Sequence, residues 1–115
     1  MTPPRRSSTL KRDEVVELFS RLRELNPRRL LVVFGCGGDR DAGKRPLMGA
    51  VASRLADYSL LTSDNPRGEP PAAILDEIKA GLTTPAFEII EDRRRAIGRA
   101  IELAQEGDII LIAGK

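Results

Sequence analysis

In the stretch LKRDEVVELFSRLREL, Val15, Leu18, Phe19, Leu22 and Leu25 recur at three- and four-residue spacing, with charged residues between them. That period predicts an amphipathic helix over residues 10–25, stopped by Asn26-Pro27. The pattern then changes. LLVVF at 30–34 is continuously apolar, rich in β-branched residues and halted by glycine, as expected of a strand covered on both faces. After a glycine-rich loop, Pro46 suits the first turn of a helix running to about residue 56. Leu47, Val51 and Leu55 would form its buried stripe.

The same unit then recurs. YSLLT (58–62) reads as a strand and SDNPRGEPP (63–71) as a loop. Residues 72–80 read as a helix with Ile74, Leu75 and Ile78 inside. FEIIE (87–91) reads as a shorter strand, and Asp92 is placed to cap a helix over 93–104. Gly107 is expected to close that helix, and DIILIA (108–113) is the last strand. Strands alternating with helices predict an α/β fold, Rossmann-like, with a mostly parallel sheet and helices on both faces. Residues 1–8, rich in Pro, Arg and Ser, are expected to be a loose basic tail. Residues 9–115 then form a single domain, of a size that buries roughly two thirds of its unfolded surface.

In open parallel sheets, ligands bind beyond the carboxyl ends of the strands, near the place where strand order reverses. Three segments leave such ends: GCGGDRDAGKR, SDNPRGE and the terminal GK. Glycine, proline and aspartate also belong in such connections for turn chemistry alone. Their gathering at one rim favours a ligand site.

Composition narrows the chemistry. Aromatic residues are 3% of the chain, so the core must be aliphatic. The net charge of +2, from 19 basic and 17 acidic residues, argues against nucleic acid as partner. Histidine is absent, which removes histidine acid–base catalysis, Ser-His triads and most zinc sites. Cys36 is the single cysteine, so no internal disulfide forms and a reducing cytoplasm is the expected location. It reads as a small buried filler, with no histidine to activate it. No apolar run approaches the roughly 20 residues of a membrane span.

GDRDAGKR (38–45) nearly matches the phosphate-binding loop Gly-x4-Gly-Lys-Ser/Thr, but Arg45 stands where the hydroxyl should be. Asp39 and Asp41 would repel phosphate from the cradle, and Pro46 removes an N–H from the helix start. A tight glycine turn exposing Asp39 and Arg40 above the sheet is the better reading. Lys44 and Arg45 either reach phosphate or stay solvated at the helix start; Lys44 is the candidate cofactor contact. The run Asp92-Arg93-Arg94-Arg95 reads as a capped helix with an exposed face.

Taken together, VVFGCGGDRDAGKRPLMGAVA, LLTSDNPRGEPPAAILDEI, EDRRRAI and GDIILIAGK resemble the C-terminal domain of the Mur ligases. Within that family they are similar to the branch that adds meso-diaminopimelate. The resemblance covers about residue 30 to the end, and the first motif with DNPR, in this order and spacing, is specific. It implies a three-domain, ATP- and Mg2+-dependent amide ligase of peptidoglycan synthesis. In such an enzyme ATP turns the carboxylate of a UDP-MurNAc-dipeptide into an acyl phosphate, which the amine of meso-diaminopimelate attacks. The substrate-binding residues it implies are Arg40, Asp64, Asn65, Pro66, Arg67 and Gly114.

Those residue types suit that ligand. Diaminopimelate is a lysine carrying a second carboxylate, and arginine's planar fork binds carboxylates through two hydrogen bonds. Arg67, assisted by Arg40, is expected on the distal carboxylate, with Asp64 and Asn65 on the neighbouring ammonium. Pro66 biases Asn65 toward an extended conformation. The family pattern continues beyond AGK into Gly-His-Glu and has a Tyr-Ala-His strand before the first helix, and neither is matched here. The expectation is therefore a truncated domain that neither hydrolyses ATP nor binds a cofactor alone. A stand-alone nucleotide-binding module and a non-catalytic interaction domain are the competing readings.

Overall fold

The computed structural model describes residues 12–36, 44–64 and 68–113, with side chains other than those at 12–15 and 44. The apolar LLVVF run lies at the centre. It is β1 (Leu30–Phe34), paired in parallel with β2 (Tyr58–Leu61) on one side and β4 (Ile109–Ile112) on the other. β3 (Phe87–Ile89) joins β2, also in parallel, giving the order β3-β2-β1-β4. All five β1 residues are buried, because a central parallel strand has a layer over each face.

The helices are α1 (Arg12–Arg23), α2 (Lys44–Leu55), α3 (Pro71–Lys79) and α4 (Arg93–Leu103). Strand alternation divides the core in two. Leu30, Val32 and Phe34 of β1 join Phe19, Val51, Ala52, Leu61, Ile74, Leu75 and Ile78 beneath α1, α2 and α3. Val33 and Leu60 face the other way, onto Ala96 and Ala100 of α4. Small alanines let α4 sit close against the sheet. Ile74, Leu75 and Ile78 are buried as the helical period requires, and Pro71 opens α3 at its first position, where no N–H is needed. The Asp92 side chain accepts a hydrogen bond from Arg95 N and caps α4.

Several expectations need correction. Leu25 is 69% exposed because α1 stops at Arg23, and the chain turns off the buried face through Asn26, at φ 58. Leu47 is 50% exposed. Of the expected stripe α2 buries Val51 and half-buries Leu55, and it packs otherwise through Arg45, Gly49 and Ala52. α4 ends at Leu103 with an extended Ala104; Gly107, at φ 91, shapes the following turn into β4 instead. β1 keeps the full span of its apolar run, whereas β2, β3 and β4 are shorter than theirs, with Thr62, Ile90, Glu91, Asp108 and Ala113 already outside the strands. The tail at 1–8 and the side chain of Val15 lie outside the described residues.

Gly81, just beyond α3, lies against the backbone of Pro46, where a β-carbon would overlap the carbonyl. This close approach fixes the first turn of α2 against the end of α3. It thereby sets the start of α2 relative to the C-terminal end of α3.

Candidate functional site at the carboxyl rim of the sheet

Strand order reverses between β1 and β4, and the carboxyl ends of β1, β2 and β4 form the rim beside that reversal. Backbone pairing continues past the strands. Thr62 N donates to Phe34 O at 2.9 Å, and Ala113 N donates to Val33 O at 2.9 Å. Gly35 follows β1 so closely beside the second loop that a β-carbon there would strike the Thr62 carbonyl and meet the Asp64 side chain. Only glycine allows that approach. On the other side, Ser63 N and the Thr62 hydroxyl both donate to the Glu91 carbonyl, at 3.1 and 3.0 Å. The chain entering the DNPR segment is thus held from two directions.

Asp64 is the candidate residue that can be located, and it is only 4% exposed, at the end of this held segment. Arg40, Asn65, Pro66, Arg67 and Gly114 lie outside the described residues, as does the Lys44 side chain. Lys44 itself begins α2. Cys36 sits nearby. Burial pushes its thiol up to about 11, with Asp64 and Glu77 adding to the rise and Arg45 opposing it. A thiol held neutral fits the filler reading and not a nucleophile.

Arg45 departs from both sequence readings. It is neither solvated nor aimed at phosphate but is 1% exposed. Its Nη1 and Nη2 donate to Glu69 Oε1 and Oε2 at 3.0 and 2.8 Å, and Nη1 also donates to Glu77 Oε1 at 3.1 Å. The hydrogen bond to Glu69, then its charge and that of Glu77, raise the guanidinium pKa further against the cost of burial. Sequence spacing carried little warning of this, since the partners lie 24 and 32 residues away. The position just before Pro46, on the face shared with Gly49 and Ala52, was the available signal.

Arg93 is also only partly the solvated charge that its run suggests. Arg94 and Arg95 are exposed, whereas Arg93 is half-buried. Its Nη2 donates to the Ala113 carbonyl at 3.0 Å, directly before Gly114. Its Nη1 is buried without a hydrogen-bond partner. One guanidinium therefore spans from the start of α4 to the end of β4, across the reversal of strand order.

A four-stranded parallel sheet with helices on both faces defines an α/β domain. Comparison with known proteins makes the assignment specific. The family described as "Mur ligase, glutamate ligase domain" matches residues 11–115, and the chain belongs to this family. It is 50% identical over 106 residues to the UDP-N-acetylmuramoyl-L-alanyl-D-glutamate--2,6-diaminopimelate ligase of Syntrophomonas wolfei, covering 90% of this chain and 22% of that protein. The ligase of the same name from Prochlorococcus marinus is 58% identical over 95 residues, covering 82% and 19%. A solved structure titled as the same ligase superposes with a TM-score of 0.85 at 38% identity, over 100% of this chain and 27% of that one. The chain thus spans about a fifth of the length of the curated relatives it matches.

Proposed function

We propose that this chain is the amino-acid-recognising domain of an ATP-dependent amide ligase that adds meso-diaminopimelate to UDP-MurNAc-L-Ala-D-Glu in peptidoglycan synthesis. The observation that carries the proposal is the buried Asp64 at the carboxyl end of β2, opening the Asp-Asn-Pro-Arg stretch of a chain half identical to ligases bearing that name. In this reading Arg67 and Arg40 clamp the distal carboxylate, Asp64 and Asn65 orient the adjacent ammonium, Pro66 sets the turn, and Gly114 contributes backbone at the β4 end. Two arginines left facing nothing would be costly with lysine as ligand, so the site favours the diacid. The cytoplasm, where such precursors are assembled, is the location that goes with it.

ATP and Mg2+ belong to the ligase as a whole. The residues of this chain do not fit a phosphate cradle of their own. The position that needs a Ser or Thr is Arg45, which is committed to Glu69 and Glu77, and Asp39 and Asp41 fall where bare amides are required. Lys44 remains a candidate phosphate contact from a neighbouring domain.

Titration calorimetry on this chain with meso-diaminopimelate and with L-lysine tests the reading. Heat of binding is expected with the first and none at the same concentrations with the second, and Arg67→Met abolishes the difference. Equal uptake of both amino acids by the unmodified chain, or of neither, would count against it. So would steady ATP-dependent release of phosphate by the purified chain.

A further inference from the structure

We infer that Arg45 is a positioning residue that fixes the DNPR loop relative to the loop after β1, and through that spacing sets the preference for a ligand with two carboxylates. The inference rests on the proposed function for the identity of the ligand and on the described geometry for everything else.

The first ground is connectivity. Arg45 stands in the first turn of α2, where the loop from β1 ends, five residues after Arg40. Glu69 lies two residues after Arg67, at most about 7 Å of extended chain away, and Glu77 belongs to α3, which follows the DNPR loop. A single guanidinium therefore joins the end of one candidate ligand loop to the end of the other and to the helix behind it.

The second ground is the form of the contact. Two parallel hydrogen bonds to Glu69 fix the plane of that carboxylate as well as its distance, which a point charge or an apolar contact does not do. The backbone of α2 beneath Arg45 is itself held by Pro46 against Gly81. The fork is therefore mounted on backbone held by a close packing contact, and what it restrains is the Glu69 end of the second loop.

The third ground is energetic. Buried ion pairs contribute little net stability, because desolvation offsets most of their attraction, and apolar replacements are often neutral. The side chains of Glu69 and Glu77 are 30% and 41% exposed, so both can rehydrate if the guanidinium is removed. Loss of Arg45 then strands neither of these two carboxylates. Folding and loop placement become separable, and placement is what the pair supplies.

The test uses Arg45→Met, Arg45→Lys and Glu69→Gln in this chain, with 15N relaxation at Gly68 and Glu69 and at Val33 and Leu60 as core references. In the unmodified chain all four are expected near the rigid order parameter of about 0.85, and in Arg45→Met the two loop amides fall below about 0.6 while the core is unchanged. Titration of the same samples is expected to show the preference for meso-diaminopimelate over L-lysine reduced at least about tenfold in Arg45→Met. Arg45→Lys, which keeps the charge and loses the fork, is expected to fold and still to lose the preference. Should Arg45→Met fail to fold, Glu69→Gln, which keeps the pair with Glu77, is expected to give the same loosening and loss of preference. Unchanged loop order parameters overturn the inference, as does a mobile loop with undiminished preference. If the unmodified chain takes up neither amino acid, the proposed function falls, and the order parameters alone decide whether Arg45 positions the loop.

Discussion

Arg93 Nη2 donates a 3.0 Å hydrogen bond to the carbonyl of Ala113, tying the first residue of α4 to the end of β4. Ala113, the residue after β4, is held on its other side by its own N bonding to Val33 O. The backbone leading into Gly114 is thus fixed from α4 and from β1 at once.

Replacing Arg93 by Met is expected to release that end. The lost charge-assisted bond is worth up to about 1–3 kcal/mol, partly offset because the unpartnered Nη1 is no longer buried. Global stability should change by no more than about 1 kcal/mol. The local effect is the sharper one: amide exchange at Ala113 should quicken at least about tenfold while Leu60 is unaffected. Equal protection at Ala113 in the two proteins would show that the bond holds nothing.

Gly35→Ala places a methyl group against the Thr62 carbonyl and Asp64. Neither backbone can yield cheaply, because Thr62 N is bonded to Phe34 O and Ser63 N to Glu91 O. The expected cost is about 1–3 kcal/mol in denaturant unfolding. On the proposed function, binding of meso-diaminopimelate should be lost in the fraction that still folds.

Acid should unfold the protein through Asp108 and Glu88. Hydrogen bonding from Arg29, aided by Gln105 N and by the charges of Arg29 and Arg28, holds the Asp108 carboxyl below its usual range. Hydrogen bonding from Arg99, and then from Tyr58, lowers Glu88 in the same way. Because both are depressed in the folded state, their contribution is complete above about pH 4.5 and declines as pH falls below the ordinary carboxylate range. Urea midpoints measured from pH 6 down to pH 3 should therefore decrease. The decrease should be shallower in Asp108→Asn, and a parallel curve would exclude Asp108 as a source.

The Cys36 thiol, pushed up to about 11 mainly by burial, should resist alkylation at pH 8. The rate should still be climbing past pH 10, where an ordinary thiol has levelled off. A group whose pKa is raised on folding favours the folded protein below its unfolded value, near 9. Stability should therefore fall between about pH 9 and 11, and Cys36→Ser should lessen that fall.

Much of the fold was legible because its elements are local. Periods of three and four residues mark α1 and α3; the unbroken LLVVF run marks a doubly covered strand; Asp92 marks the start of α4 through its own side chain. The errors arose where burial depends on partners far along the chain. Leu47 looked like core on its own helix and is not, while Arg45 and Gly49 of the same helix are buried against α3. Arg93 looked like one of three solvated arginines, and only the nearness of Ala113, 20 residues on, separates it from Arg94 and Arg95.

By itself the sequence determined the alternation of strands and helices, the aliphatic core, the absence of histidine chemistry and the motif order that marks the family. These follow from side-chain type, spacing and backbone preference, which act over a few residues. Only the tertiary structure decided which charges are buried and what they hold. Arg45 meets Glu69 and Glu77 because parallel strands place successive loops side by side at one rim. No local pattern encodes that adjacency.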